Sequence, residues 1–407
     1  MLGIWSVAAL GLGGLALLCG VWIVVPAPHR ALSFLAVGAS ELSAWLLLGA
    51  AAGIGLGIVI VTRALGGDVA PVWAPWVAGL AIGCGVPAVG LALVPPWLAR
   101  PVAAESRVAL SPLRALVGPF AGAPARSSVD VTTVVYATSN GQPQRMDVYR
   151  PAGLSDDDRS RLRSGVIVVH GGAWDGGARS ERPQWNRWLV ARGHVVFDVD
   201  YRLAPQPNWE LATGDVLCAV GTIRERAAEW GVDPGRLALL GRSAGGQLAL
   251  LAAYGSHTAR TPTAPIVPVS CAVPDTSVRA VISLYGPTDL LWGYEHSANQ
   301  KVINGRRVLG RFLGGTPQSA PEVYARASPI THVRAGLPPT LMLHGRRDQF
   351  AGVQHSERLA ARLEGAGVAH EVVLLPHAQH GFDYVFGGWG GQIAQGVIAR
   401  FLETHLG

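Results

Sequence analysis

The chain has 407 residues, of which 49% are hydrophobic and only 15% are charged. Soluble domains usually carry about a quarter charged residues, so part of this chain is expected to avoid water. The formal net charge of +6 comes from scattered arginines interleaved with acids, which argues against a nucleic-acid partner. The four cysteines lack paired or metal-ligand spacing, so we expect buried free thiols, no disulfide and no metal site.

The first 99 residues contain four charged side chains with a net charge of zero. Their apolar runs predict three membrane spans, at about 2–25, 42–61 and 76–97, because roughly 20 apolar residues cross a bilayer. A cleaved secretory signal is the alternative for the first run, but it would need a basic start and a shorter apolar core. We therefore expect a multi-pass membrane region whose partner is the lipid bilayer.

The charges that flank these runs predict how the region is oriented. Arg63 would stand alone on one side of the membrane. The opposite side would carry Arg30, Arg100, Arg107 and Arg114. The positive-inside rule then places the large C-terminal region in the cytoplasm. Glu41 is expected at the water boundary of the second span, with an intramembrane functional acid as the alternative.

Residues 100–128 are rich in Pro, Ala, Gly and Ser and are expected to form a linker or a short interfacial segment. From residue 129 to 407, short apolar runs alternate with helical patterns. This alternation predicts an α/β domain with a largely parallel sheet and helices on both faces. Segments 257–277 and 290–338 interrupt the alternation, and loops of this length usually form lids or binding segments. We expect both segments to roof the functional site.

The pentapeptide Gly241–Gly245 stands between a short apolar run and a run rich in Ala and Leu. The first run predicts a buried strand and the second a helix. A glycine-flanked serine at such a turn is typical of a nucleophile elbow, which presents the hydroxyl at the edge of a sheet. Ser243 is therefore the candidate nucleophile.

A serine hydroxyl needs a base that accepts its proton and a carboxylate that orients the base. In the strand-and-helix arrangement predicted here, the acid and then the histidine follow the serine along the chain. Asp348, which follows an apolar run, is the expected acid, and Asp289 is the alternative. His380 is the expected base, with His377 as a loop neighbour and Asp383 as an alternative local partner.

The tetrahedral intermediate of acyl transfer carries an oxyanion that needs fixed N–H donors. Ala244, directly after the candidate nucleophile, is one expected donor. Gly172 and Ala173 are the others, because they follow an earlier strand-like run at the place this arrangement requires. Gly171 is expected to shape the turn and bring the backbone close to the substrate.

Four motifs in this order resemble the α/β-hydrolase family, in its esterase and lipase branch related to hormone-sensitive lipase. The motifs are His170–Trp174, Asp200–Pro205, Gly241–Gly246 and His380–Phe382. The resemblance covers about residues 129–407 and implies a catalytic triad of Ser243, Asp348 and His380. Ala173 departs from the pattern, since many relatives carry a third glycine there. The membrane region lies outside the common pattern, although membrane-anchored relatives such as isoprenylcysteine methylesterases exist.

These observations favour a membrane-anchored serine hydrolase that cleaves a small-molecule or lipid-like carboxylic ester through an acyl-serine. No cofactor and no metal are expected, because the sequence shows no P-loop, no dinucleotide fingerprint and no metal-ligand spacing. An amidase, peptidase or acyltransferase with the same triad is an alternative. A non-catalytic membrane receptor or scaffold on a hydrolase fold is another, because one fold can host several functions.

Overall fold

The N-terminal region of the computed structural model is helical, and the model describes residues 1–121, 128–139, 141–153, 161–256 and 266–407. The helices of this region are α1 (Leu2–Val24), α2 (Arg30–Glu41), α3 (Ser43–Leu65), α4 (Ala74–Glu105) and α5 (Pro112–Ala121). Three of them, α1, α3 and α4, are long and apolar enough to cross a membrane. They correspond to the three predicted spans.

Small residues hold α1, α3 and α4 together. The buried positions of α1 are mainly Gly, Ala and Ser, and those of α4 are mainly Ala. Large apolar side chains such as Leu15, Leu18, Ile58 and Leu80 are exposed instead. This distribution is typical of membrane helices, in which small residues let backbones approach closely and large ones face lipid.

Much of the described part of residues 100–128, expected as a linker or a short interfacial segment, is helical. Helix α4 continues to Glu105 and passes through Pro87, Pro95, Pro96 and Pro101. Prolines are tolerated in such helices when packed neighbours compensate for the missing backbone donors. Helix α5 occupies a second part of the stretch, and residues 122–127 lie outside the described ranges.

An eight-stranded sheet forms the centre of the C-terminal region, with the spatial order β1-β2-β4-β3-β5-β6-β7-β8. The strands are β1 (Val129–Ser139), β2 (Gln142–Pro151), β3 (Arg163–Val169), β4 (Val195–Val199), β5 (Val232–Arg242), β6 (Ala280–Leu284), β7 (Thr340–Gly345) and β8 (His370–Leu375). Strand β2 pairs antiparallel with β1 and β4, and all other pairs are parallel. The predicted α/β fold with a mostly parallel sheet is confirmed.

Helices cover both faces of this sheet. The helices of this region are α6 (Pro183–Val190), α7 (Trp209–Glu225), α8 (Ala244–Tyr254), α9 (Leu290–Glu295), α10 (Gly305–Leu313), α11 (Pro321–Ala327), α12 (Gln354–Gly365) and α13 (Trp389–Leu406), of which α6, α7, α8, α12 and α13 pack on the strands. The central strand β5 shows why the pattern is continuously apolar. Leu237 and Leu239 belong to one core cluster, whereas Ala238 and Leu240 belong to the cluster on the opposite face.

Cys218 and Cys271 form a disulfide with a Cα–Cα separation of 5.5 Å, so the expectation of free thiols without a disulfide is wrong for this pair. Cys218 lies in α7, and Cys271 lies in a segment that α7 contacts, where the Ser270 N–H donates to the Gly214 carbonyl at 3.2 Å. Spacing along the chain could not reveal this tertiary neighbourhood. Cys19 and Cys84 are free thiols.

Part of the first segment that was expected to roof the site lies elsewhere in the structure. Residues 266–277 of the first predicted roof segment pack against α7 rather than over Ser243. Residues 257–265 lie outside the described ranges. The second segment, 290–338, contains α9, α10 and α11 and does line the cavity beside Ser243.

Candidate active site

Ser243 lies at a sharp turn between β5 and α8, as the sequence predicts. Its φ angle of +53° is rare for a residue with a side chain and is typical of a strained nucleophile elbow. The flanking glycines leave no room for a Cβ. At Gly241 a Cβ would lie 2.0 Å from the Gly245 carbonyl oxygen, and at Gly245 it would lie 2.3 Å from the His170 carbonyl oxygen. The turn therefore requires glycine on both sides of the serine.

The three predicted residues meet at the carboxyl ends of neighbouring strands. Ser243 follows β5, Asp348 follows β7 and His380 follows β8. The His380 Nε2 atom is 2.9 Å from the Ser243 hydroxyl, and its Nδ1 atom is 2.6 Å from the Asp348 carboxylate. With the proton on Nδ1, the imidazole donates to Asp348 and can accept the serine proton on Nε2.

The groups around the Asp348 carboxylate favour its ionised form. Its second oxygen accepts the N–H groups of Phe350 at 2.8 Å and Ala351 at 2.9 Å, and the His344 Nε2 atom lies 3.2 Å from the carboxylate. Burial alone would raise the pKa of Asp348. The facing His380 and the contacts from both histidines outweigh that effect and hold this pKa well below its usual value. The carboxylate can therefore orient His380 and stabilise a positive imidazole.

The alternative acid, Asp289, is used elsewhere. One of its oxygens accepts the Trp292 N–H at 3.0 Å and caps α9, and the other is 2.7 Å from the Arg358 guanidinium. Asp289 therefore has the position and the hydrogen bond of a helix cap. The structure brings Asp348, and not Asp289, to His380.

Asp383 is a partner of the elbow rather than of His380. It is fully buried and accepts from the Arg242 guanidinium and from the Tyr285 hydroxyl, each at 2.5 Å. Burial and the adjacent carboxylate raise the pKa of Tyr285 well above its usual value, so its hydroxyl stays a donor. The Tyr285 ring centroid lies 4.6 Å from that of the His380 ring. Asp383 thus fixes two groups that support the turn and the histidine.

His377 and Glu41 form a buried contact between the loop of His380 and the N-terminal helical region. The His377 Nε2 atom is 3.6 Å from one Glu41 oxygen, and the other oxygen accepts the Gly390 N–H at 2.8 Å. Glu41 is fully buried and lies just before α3, and its expected place at the water boundary of the second span stays a prediction. It is the last residue of α2 and packs against the C-terminal region, which the pattern of spans could not show.

The expected oxyanion donors line the same cavity as Ser243. Ala244 is the first residue of α8, where backbone N–H groups have no acceptor within the helix. Gly172 and Ala173 have φ angles of +122° and +54° and line the cavity together with Ser243 and Ala244. A Cβ on Gly171 would lie 3.0 Å from the Arg242 carbonyl oxygen, so this loop lies directly against the elbow.

A cavity of about 410 Å³ opens at Ser243 and His380. This volume is in the range of small-molecule sites. Its large apolar lining residues are Trp174, Leu290, Ile303, Val308, Leu309 and Phe350. Within the described ranges, no group of three or more His, Cys, Asp and Glu side chains could hold a metal ion.

Helix α2 contributes two further lining residues, Arg30 and Phe34, which sequence reasoning missed. The signal that could have found them is a 12-residue stretch, too short to cross a bilayer, placed between two spans. Such a segment must lie beside the C-terminal region or on the membrane surface.

The BD-FAE family model matches residues 146–363, which is more than half of the chain. The chain belongs to the BD-FAE family. The predicted resemblance to α/β-hydrolases related to hormone-sensitive lipase is thereby confirmed. The matched range contains Ser243, Asp348 and the loop of Gly171, Gly172 and Ala173, and it ends before His380.

Curated relatives of this BD-FAE protein include esterases. The chain is 32% identical to Esterase LipC of Mycobacterium tuberculosis over 269 residues, which are 64% of this chain and 62% of LipC. It is 26% identical to a probable isoprenylcysteine alpha-carbonyl methylesterase of Arabidopsis thaliana, over 59% of this chain and 49% of that protein. The BD-FAE protein thus spans about half to three fifths of the length of these relatives.

Solved structures show the same fold for the BD-FAE domain. A Thermogutta terrifontis esterase with butyrate bound is 25% identical, with a TM-score of 0.51, and covers 69% of this chain and 93% of its own. An acetyl ester-xyloside bifunctional hydrolase from Caldicellulosiruptor lactoaceticus has a TM-score of 0.55 at 21% identity, covering 67% and 96%. The second likeness concerns the fold alone.

Proposed function

We propose that this protein is a membrane-anchored serine hydrolase that cleaves carboxylic esters through an acyl-serine intermediate. The observation that carries the proposal is the continuous hydrogen-bonded arrangement of Ser243, His380 and Asp348 at the mouth of an apolar cavity. Membership of the BD-FAE family and the esterase relatives support the choice of ester chemistry.

The first half of the reaction forms the acyl-enzyme. The Ser243 oxygen attacks the ester carbonyl carbon while its proton passes to the His380 Nε2 atom, 2.9 Å away. Negative charge develops on the carbonyl oxygen, which the N–H groups of Ala244, Gly172 and Ala173 stabilise. His380 then donates its proton to the departing alcohol oxygen as the carbon–oxygen bond breaks.

The second half releases the acid. Water attacks the acyl carbon, and His380 accepts the water proton and returns it to the Ser243 oxygen as that bond breaks. Throughout both halves the Asp348 carboxylate holds the imidazole in one tautomer and stabilises its positive form. The chain returns to its starting state with one carboxylic acid and one alcohol as products.

The membrane region is the proposed anchor of the enzyme. Helices α1, α3 and α4 have the length and hydropathy of membrane spans. We divide the chain into a membrane region (1–99), a connection (100–128) and a catalytic domain (129–407). The connection is largely helical, because α4 extends into it and α5 lies within it.

The distribution of arginines favours the cytoplasmic side for the proposed catalytic domain. The Cys218–Cys271 disulfide favours the opposite side, because disulfides persist mainly in oxidising compartments. Fusions of a fluorescent protein and of alkaline phosphatase to the C-terminus decide between the two. Fluorescence without phosphatase activity supports the cytoplasmic side, and the reverse result rejects it.

A fluorophosphonate probe tests the nucleophile directly, because it forms a covalent bond with an activated serine. We expect the full-length protein to be labelled and Ser243→Ala to remain unlabelled. Equal labelling of both proteins, or no labelling of the wild type, would reject the proposal. Parallel assays with p-nitrophenyl acetate and the matching anilide separate an esterase from the alternative amidase.

A further inference from the structure

We propose that helix α2, which joins the first two candidate membrane spans, is part of the substrate site. Its Phe34 selects esters that carry an extended apolar chain. The inference rests on the proposed ester hydrolysis at Ser243 and specifies the class of ester. It assigns to the membrane region a function in substrate selection in addition to anchoring.

The end of α1 and the connection before α2 are fixed to the two loops that build the site. The Asn299 side chain donates to the Ala27 carbonyl at 2.9 Å, and the Arg347 guanidinium donates to the Val24 carbonyl. Asn299 belongs to the segment that lines the cavity, and Arg347 directly precedes Asp348. Helix α2 is thereby held at the cavity by contacts on both of these loops.

Phe34 is placed as a lining residue and not as a core residue. Most buried residues of α2 are small, namely Ser33, Ala36, Ala39 and Ser40. Phe34, by contrast, is 49% exposed, which is unusual for a phenylalanine with an available apolar surface nearby. Its exposed face belongs to the cavity that contains Ser243. A bound apolar chain would cover that face.

A row of rings connects Phe34 to the reacting groups. The Phe34 ring centroid is 6.0 Å from that of Phe350, which in turn stacks on the His380 ring at 4.9 Å. The Arg30 guanidinium also lies 5.7 Å from the centroid of the Phe34 ring. An apolar chain attached to an ester carbonyl at Ser243 can therefore continue past Phe350 to Phe34.

Charged side chains are few in the lining. Asp175 is 3.1 Å from Arg311 in an ion pair, and the Arg30 guanidinium lies 5.7 Å from the centroid of the Phe34 ring. Most of the remaining large side chains along the path are apolar. Each methylene of a chain that leaves water for this surface contributes favourably to binding. Short esters such as acetates do not reach Phe34 and gain nothing from it.

The test compares acetate and octanoate esters of p-nitrophenol on the full-length protein in lipid nanodiscs. In Phe34→Ala we expect the ratio of kcat/KM for octanoate to that for acetate to fall about tenfold, the size of effect that lost contacts in an apolar pocket produce. Phe34→Leu should restore most of the ratio. Leu48→Ala is the matched control, because Leu48 is also 49% exposed but lies in α3 away from the cavity. It should leave the ratio unchanged.

Two results would overturn the inference. One is an unchanged ratio in Phe34→Ala with acetate turnover retained. The other is an equal loss for both esters, which indicates a structural role. Failure of the proposed function looks different: the wild type would not turn over acetate, or Ser243→Ala would turn it over equally well.

Discussion

Side chains from the sheet and side chains from helix α2 meet at the same cavity, but they are held in different ways. Asp348 receives two backbone N–H groups and contacts two histidines, and His380 is fixed between Asp348 and Ser243. Phe34 is half exposed and touches the site through the ring of Phe350. The loops that follow the strands hold the reacting groups in a fixed geometry, as the chemistry requires. Phe34 lies outside that geometry, so a change at Phe34 can alter the range of substrates without moving the reacting groups.

The largest expected effect on kcat comes from replacing the candidate triad residues that follow the strands. Ser243→Ala and His380→Ala should each lower kcat for p-nitrophenyl acetate at least about 10⁴-fold, because triad members act as a unit. Thermal unfolding of both variants should match that of the wild type. Residual activity within tenfold of the wild type would show that the chemistry does not depend on these groups.

The next effect separates the two candidate acids. Asp348→Asn should lower kcat about 10³–10⁴-fold, because the amide cannot stabilise a positive imidazole and favours the wrong tautomer. Asp289→Asn is the control and should change kcat less than about threefold. Asn also caps helices, and the partly exposed pair with Arg358 contributes little. If Asp289→Asn lost activity and Asp348→Asn kept it, the assignment of the acid would be wrong.

A smaller effect tests how much the contact of Glu41 contributes to packing of the N-terminal helices on the C-terminal region. Glu41→Ala removes the acceptor of the Gly390 N–H at the start of α13 and leaves that buried donor unsatisfied. We expect a loss of about 1–3 kcal/mol in the free energy of unfolding, measured in nanodiscs. Glu41→Gln keeps an acceptor and should lose less. Equal stability of wild type and Glu41→Ala would show that this contact does not hold the two regions together.

The smallest effect concerns a histidine of the sheet domain that lies away from the cavity. Burial, followed by the nearby Arg192 and Arg236, lowers the pKa of His194 to about 4. Between its unfolded value of about 6.5 and pH 4, the unfolded chain binds a proton that the folded chain does not. Stability therefore falls as the pH falls, by at most about 1.4 kcal/mol per pH unit.

The control for this pH effect is His194→Asn, compared with the wild type in urea at pH 6.5 and pH 5. The comparison is needed because other buried groups titrate in the same range. His355, whose pKa burial lowers to about 3, acts in the same direction, and Asp198, whose pKa burial raises to about 6, opposes it. An identical pH dependence of the two proteins would contradict the prediction for His194.

The candidate triad could be predicted because each member follows an apolar strand run in an order that the fold fixes. Ser243, Asp348 and His380 needed no tertiary information beyond that order. The packing of α2 onto the cavity, the burial of Glu41 and the Cys218–Cys271 disulfide could not be predicted. These contacts join segments 53 or more residues apart, and neither periodicity nor residue spacing records how such segments meet.

If α1 and α3 span the bilayer as proposed, their lengths place the cavity close to the lipid surface. Helices α1 and α3, with 23 residues each, extend about 35 Å, slightly more than the roughly 30 Å of hydrocarbon in a bilayer. Since α2 begins shortly after α1 ends, its phenylalanine would sit among the headgroups. Alkyl detergents gather at this depth in a micelle. We therefore expect micellar preparations to show a raised apparent KM for long-chain esters, as detergent tails compete for the opening.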